Sequence, residues 1–286
     1  MSEKIEGGKK LPWLNPKWAN LLGRFLALLI VFAFFALMVQ DGKFYTLRNL
    51  ENILRQCCVY ATAGLGMTMV IVGAGIDLSA GSLIALSVVV VASVLGINLT
   101  GADGQPHPFM ELHPALAPVA AVLAGTLAAT LAGLFNGLTI VGLRLMPFIV
   151  TLGTMGMIRG LAKGIAHERD IYPPDETWIN AIMDPTLSGA HRPWYVLPVG
   201  VWILFGCILA ASFVMRYTRL GRHIFAVGSN EETARLCGVP VGRTKLFIYT
   251  ASGFFCGIAG LMQFSYIGGI IIVAVAIDRW RHRKAV

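Results

Sequence analysis

Long apolar runs separated by short polar segments dominate this chain. Seven of them have the length and hydrophobicity typical of membrane helices. They are Leu21–Val39, Gln56–Val72, Ser82–Gly96, Ala115–Phe135, Met146–Leu161, Leu197–Met215 and Leu246–Phe264. A final run, Ile267–Ile277, has 11 residues, and an α-helix of that length spans only about 16 Å of a hydrocarbon core of about 30 Å. The pattern predicts an all-α polytopic membrane protein with about seven or eight transmembrane helices, the first of them retained.

The composition supports a membrane location. Hydrophobic residues make up 56% of the chain and charged residues only 13%, whereas soluble domains carry about 25% charged residues. The mean hydropathy is +0.70, so most of the apolar surface must face lipid or other membrane helices. The net charge is +8, but the basic residues lie mainly at the chain ends and in one loop. This distribution follows the positive-inside rule and does not indicate a nucleic-acid partner.

The loop charges predict an orientation. Loop 97–114 has no Lys or Arg, and loop 164–196 is mainly acidic, so both are expected outside. The basic loop 216–245 and both chain ends are expected inside. We therefore expect a cytoplasmic amino-terminal tail (1–18), a transmembrane domain (19–278) and a basic cytoplasmic tail (279–286).

No pattern of metal or catalytic residues stands out. The five cysteines are scattered without a C-x-x-C spacing, and the six histidines form no H-E-x-x-H motif. We expect no metal, no cofactor and no catalytic residue. Small residues recur within the apolar runs, at 63–66, 124–125, 132–133 and 257–260, and predict close packing between helices.

The glycine-rich segment Gly73–Gly81 separates the second and third apolar runs and carries a single carboxylate, Asp77. A charge at mid-membrane costs about 2.5–3.5 kcal/mol on insertion scales, so Asp77 is expected either to cap the next helix or to face a polar cavity. The helix start that follows directly favours the cap over a direct substrate contact.

The loop Arg216–Lys245 contains six Lys or Arg residues and two acids, Glu231 and Glu232. Within it, Ser229 and Glu232 have the spacing of a capping box, and Asn230 is an alternative cap. Gly238 suits a left-handed helix end, and Pro240 prevents continuation. The loop therefore predicts a helix of about two turns, which is too short to be stable alone in water. We expect the bundle or a partner to support it.

Four segments together resemble the permease subunits of bacterial ABC sugar importers of the ribose, xylose and arabinose type. They are Gly75–Gly81, Phe135–Arg144, Pro147–Gly160 and Leu220–Val239. The resemblance covers about residues 20–266. It implies an inner-membrane bundle, a second permease subunit as homodimer or pseudo-dimer, two cytoplasmic ATPase subunits and a periplasmic sugar-binding protein. Transport would then proceed by alternating access without chemistry in the permease.

The resemblance also implies roles for particular residues. The loop that matches Gly228–Gly238 is the coupling helix that docks on the ATPase in this family. Its expected coupling residues are Gly228, Asn230, Glu231, Ala234, Arg235 and Gly238. The expected residues of the pathway, or of a structural motif beside it, are Asp77, Ser79, Asn136, Thr151 and Thr154.

After Gly269 the chain departs from the family pattern. The family has about ten helices, and this chain is about 50 residues short before its basic tail. A transport-impaired deletion variant is therefore an open alternative. An ion-coupled secondary transporter is another, although it would need membrane-embedded carboxylates and only Asp77 qualifies.

Overall fold

The computed structural model of the protein describes residues 16–39, 44–100, 105–166, 177–184 and 197–283, and they are largely α-helical. The helices are α1 (Pro16–Met38), α2 (Leu47–Val72), α3 (Ala80–Leu95), α4 (Phe109–Leu112), α5 (Leu116–Gly142), α6 (Pro147–Ile165), α7 (Val199–Tyr217), α8 (Arg219–Ser229), α9 (Glu231–Leu236) and α10 (Val241–Arg283). A 3-10 helix covers Asn180–Met183, and β1 (Asn98–Thr100) pairs antiparallel with β2 (Pro106–Pro108).

The seven long apolar runs all form helices, so the predicted polytopic all-α class is confirmed. Among the described residues, five helices are long and apolar enough to cross a membrane, namely α2, α5, α6, α7 and the Val241–Ile267 part of α10. Two shorter apolar helices, Phe25–Met38 and Ala80–Leu95, supply the other two runs. The run Ile267–Ile277 is not a separate helix, because α10 continues through it to Arg283.

The connections alternate between the two ends of the helices. The α2–α3 break and the α8–α9 pair meet at one end, where Gly228 packs on the carbonyl of Val72. At the other end, the 3-10 helix bonds to α10 through the Met183 N–H and Ser265 Oγ, which lie 3.0 Å apart. This grouping agrees with the predicted alternation of loops. The face that lies inside the cell stays a prediction.

The chain divides into two compact units, Met1–Leu50 and Glu51–Val286. In the first, the ring of Phe44 lies 5.0 Å from that of Phe32 and 5.9 Å from that of Phe35. The second contains the residues of both sites described below.

Within the second unit, α10 packs along α5 through small residues. A methyl group at Gly253 would overlap the Ala129 carbonyl oxygen, and one at Gly133 would overlap the Tyr249 carbonyl oxygen. A methyl group at Gly257 would lie 2.8 Å from the Thr126 Cα. Close backbone approach therefore holds this pair of helices together, as the clusters at 132–133 and 257–260 predict.

The glycines of α6 behave differently. At Gly153, Gly156, Gly160 and Gly164 an added methyl group would meet no atom within 4 Å. Their neighbours Leu152, Met157 and Leu161 are exposed. This side of α6 is therefore a bare apolar face with close-approach positions, and none of the described residues covers those positions.

Candidate coupling face and buried polar cluster

The predicted short helix exists as α9, and Asn230 caps it. The Asn230 side-chain oxygen accepts a hydrogen bond from the Thr233 N–H at 2.8 Å. Ser229 is the last residue of α8, so of the two predicted caps the structure selects Asn230, and the Ser229–Glu232 box is not formed. The helix has six residues, slightly fewer than two turns.

The far end of α9 is closed by a Schellman motif. Gly238 has a φ of +80°, as predicted for a left-handed terminator. Its N–H donates to the Arg235 carbonyl at 3.1 Å, and the Val239 N–H donates to the Ala234 carbonyl at 3.0 Å. These two bonds satisfy carbonyls that a helix end otherwise leaves free, so both ends of a very short helix are fixed.

The sequence reasoning missed α8. Thr218 caps this helix by accepting a hydrogen bond from the Gly221 N–H at 3.2 Å. Gly221, Ile224 and Val227 form its buried side, and their three-residue spacing after a threonine was the signal that could have revealed it. The loop 216–245 therefore contains a pair of helices, and α8 is the one that packs on the bundle.

Glu231 anchors α9 to the start of α10. One carboxylate oxygen lies 2.6 Å from Lys245 Nζ, and the other lies 3.3 Å from Arg235 Nη2. Lys245 is only 21% exposed at its side chain, so its pair with Glu231 is better shielded than an ordinary surface ion pair. Lys245 was not among the predicted site residues.

The six predicted coupling residues divide into inward and outward positions. Ala234 is 4% exposed and packs with Val227 and Val241, and Gly228 packs on α2. The expectation that the Ala234 side chain itself contacts a partner does not fit this arrangement. The side chain points from α9 towards α8 and the start of α10 and is buried there. Arg235 is 70% exposed at its side chain.

Leu236, which the sequence reasoning did not select, is 84% exposed. It is the last residue of α9 and directly follows Arg235. α9 therefore holds a large apolar side chain far out from the bundle. The exposed predicted residues Asn230, Arg235 and Gly238, together with Leu236, form the outward part of the candidate coupling face.

Asp77 lies in a buried polar cluster that joins three helices. Its Oδ1 accepts hydrogen bonds from the Ser79 N–H at 2.9 Å and the Ser79 hydroxyl at 2.6 Å. Its Oδ2 accepts one from the Ser252 hydroxyl of α10 at 2.9 Å. Asn136 of α5 donates to Ser79 Oγ at 2.8 Å. Asp77 is 5% exposed, and these donors compensate the burial of its carboxylate.

The prediction that Asp77 caps the third helix is wrong in its detail. Ser79 occupies the N-cap position of α3, and no side chain makes a cap hydrogen bond there. Asp77 stands two residues earlier, so the backbone N–H that its carboxylate binds is that of Ser79, in a local Asx turn. The carboxylate instead ties the α2–α3 break to α10.

The other predicted pathway residues are also buried. Asn136 and Thr151 are 0% exposed and Thr154 is 4% exposed. The Thr151 hydroxyl donates to the Ile76 carbonyl at 3.3 Å, while Thr154 bonds within its own helix. Asp77, Ser79, Asn136 and Thr151 are thus brought together around the break as a packed motif, and Thr154 lies one helical turn away.

Among the described residues, no three or more His, Cys, Asp or Glu side chains lie together so that they could hold a metal ion. The family described as "Branched-chain amino acid transport system / permease component" matches residues 49–278. The chain belongs to this permease family.

Relatives of this permease are named for sugar import. The ribose import permease protein RbsC of Escherichia coli strain K12 is 35% identical over 273 residues, which are 92% of this chain and 74% of the relative. The galactose/methyl galactoside import permease protein MglC of the same strain is 33% identical, over 86% of this chain and 71% of the relative. The L-arabinose transport system permease protein AraH of that strain is 33% identical, over 82% and 65%. No solved structure matches the chain.

Proposed function

We propose that this permease moves a monosaccharide across the bacterial inner membrane by alternating access, driven by a separate ABC ATPase. The observation that carries the proposal is the coupling face. The helix α9 is capped at both ends, tied to α10 by Glu231, and presents Arg235 and Leu236 outward. A soluble helix this short does not persist without support, so its construction suits docking to another protein.

The route from α9 to the membrane helices is direct. Ala234 packs on Val227 of α8, and Gly228 of α8 packs on the carbonyl of Val72 at the end of α2. A displacement of α9 by an ATPase would therefore act on the α2–α3 break. That break is bonded to α10 through Asp77. A rigid-body change of this kind is how coupling elements switch a transporter between states.

A sugar substrate agrees with the relatives and with the charge of the bundle. A free monosaccharide is neutral, so its path needs no charged binding residue. We propose that Asp77, Ser79, Asn136, Thr151 and Thr154 support the helices beside the path, and that a periplasmic sugar-binding protein delivers the substrate. Ribose, galactose and arabinose are the substrates to test first, because the relatives are named for them.

The bare side of α6 is a suitable contact surface for a second permease subunit. Glycines at 153, 156, 160 and 164 let a neighbouring helix approach closely in lipid. We propose that a homologous or identical permease subunit packs there, in a homodimer or pseudo-dimer. A full importer would then contain two permease subunits, two ATPase subunits and one binding protein.

The test is affinity purification of the protein from its native membrane, followed by identification of the bound subunits and measurement of ATP-dependent sugar uptake in proteoliposomes. Leu236→Asp should abolish ATPase association, because it places a charge in the centre of the docking contact. Leu99→Asp is the matched control, since Leu99 is 38% exposed on the hairpin at the other end of the bundle.

Three outcomes separate the alternatives. ATPase association that is lost in Leu236→Asp and kept in Leu99→Asp supports the proposal. Uptake that needs a proton or sodium gradient and no ATPase would contradict it and indicate an ion-coupled transporter. ATPase association without any sugar uptake would indicate the transport-impaired variant.

A further inference from the structure

A basic cavity lies beside the coupling face, between α9, the start of α10 and the α5–α6 connection. Its volume is about 640 Å³, which lies within the range of about 300–1,000 Å³ typical of small-ligand sites. Arg144, Glu231, Arg235 and Lys245 line it together with apolar residues of α5 and the connection. Neither the coupling proposal nor the family match assigns a role to this cavity.

The cavity carries a net positive charge. Three basic side chains and one carboxylate line it, so the lining has a net charge of about two positive units. Glu231 already pairs with Arg235 and Lys245. Arg144 makes no ion pair within the described part of the chain, so its charge is available to an incoming anion.

Arg144 is held in an unusual backbone conformation. Its φ is +53°, a region that residues other than glycine rarely adopt. Strain of this kind persists only where the surrounding structure enforces it, and it concentrates at functional sites. The short α5–α6 connection therefore fixes the backbone that carries the one basic residue of the cavity without an ion pair.

The cavity lies where membrane spans end. The candidate spans Leu116–Gly142, Pro147–Ile165 and Val241–Ile267 each line it at one end. Pro147 and Val241 are the first residues of their spans, and Val141 lies one residue before the end of α5. Lipid phosphates occupy this level of a bilayer, just outside the hydrocarbon core. The α6 and α10 amino termini there add partial positive charge.

The remaining lining is apolar. Ile140, Val141, Leu145 and Met146 contribute to it, and Met146 is 72% exposed. An anion that enters here meets basic groups on one side and hydrocarbon on the other. Phospholipids have this combination, with a charged headgroup next to acyl chains.

We propose that this cavity binds the headgroup of an anionic phospholipid, with the lipid phosphate at Arg144 and Lys245 and the acyl chains along α5 and the α5–α6 connection. An acidic segment of a partner protein would pair with the basic residues. It would not explain why the cavity lies at the ends of the membrane spans or why the rest of its lining is apolar. In the orientation predicted from the loop charges, the cavity faces the cytoplasmic leaflet, whose anionic lipids attract Lys and Arg. A lipid here would contact both α9 and α10 and so stabilise the packing of α9 against the bundle.

The experiment is a titration of the purified full-length protein in neutral detergent with phosphatidylglycerol, followed by its thermal unfolding temperature. Phosphatidylethanolamine and inorganic phosphate are titrated in parallel. Of the three compounds, only phosphatidylglycerol should raise the unfolding temperature. Arg144→Gln should weaken this apparent affinity about fivefold, the contribution of one basic residue at an anionic membrane, and Arg144→Lys should keep most of it.

A second variant and a control complete the test. Leu145→Glu adds a negative charge to the lining without removing a basic group, and it should weaken phosphatidylglycerol binding as well. Arg222→Gln removes an exposed charge of α8 outside the cavity and should leave binding unchanged. Each variant is first compared with the parent protein in lipid-free detergent, where equal unfolding temperatures show that it is folded.

Three results would overturn the proposal. The first is an equal shift with phosphatidylethanolamine, and the second is an equal shift with inorganic phosphate. The third is unchanged phosphatidylglycerol binding by Arg144→Gln. If that variant also loses ATPase association, the cavity is part of the protein docking surface.

Discussion

The hydrogen bond between Asp77 and Ser252 gives the sharpest prediction about the bundle. Ser252→Ala removes one of the three donors of a buried carboxylate, and it is the one that comes from another helix. Hydrogen bonds to charged groups are worth about 1.5–3 kcal/mol in soluble proteins. Hydrogen bonds between membrane helices average about 0.6 and reach about 1.7 kcal/mol. We therefore expect a loss of about 1–2 kcal/mol.

The assay is thermal unfolding of the purified protein in detergent. A loss of 1 kcal/mol lowers the unfolding temperature by about 2–4 °C in proteins of roughly this size, so Ser252→Ala should lower it by about 2–8 °C. Ser212→Ala is the matched control, because Ser212 is an exposed residue of α7 and the chemical change is the same. It should change the temperature by less than 1–2 °C, as surface substitutions usually do.

A double-mutant cycle isolates the bond itself. In a protein that already carries Asp77→Ala, Ser252→Ala should have no larger effect than Ser212→Ala, because the acceptor is gone. Equal effects of Ser252→Ala and Ser212→Ala in the parent protein would show that the bond does not stabilise the bundle. Simple addition of the two losses at Asp77 and Ser252 would show that these residues do not interact.

Three further predictions concern helix packing, the stability of α9 and the orientation in the membrane. Gly253→Val should prevent stable folding, because its side chain would overlap the Ala129 carbonyl. Gly153→Val meets no atom within 4 Å and should keep the helical content of the parent protein, as judged by circular dichroism in detergent. Asn230→Ala should loosen α9 by about 1 kcal/mol, the usual contribution of a cap, and speed hydrogen exchange in that helix while the membrane helices stay protected. Cys237, an exposed cysteine, should react with an impermeant maleimide in inside-out vesicles and not in intact spheroplasts; the reverse result would overturn the predicted orientation.

The sequence determined the elements that depend on local pattern. Apolar runs placed all seven long helices, since a span must be long and hydrophobic to leave water. Asn230 and Gly238 marked the ends of α9, because caps act on backbone groups only a few residues away. The sequence also contained the signal for α8. That signal is weak, because only three residues of α8 are buried and most of the helix surface is not.

The tertiary structure decided what each polar residue does. Asp77 pairs with Ser252 of α10, which is 175 residues away along the chain, and no local pattern encodes a contact at that distance. Ala234 turned out to face inward and Leu236 outward, because the packing of α9 on α8 fixes its rotation. The basic cavity likewise exists only because the ends of α5, α6 and α10 meet beside α9. Local rules thus set where the helices begin and end, whereas their packing determined which side chains are buried, paired or left open to a partner.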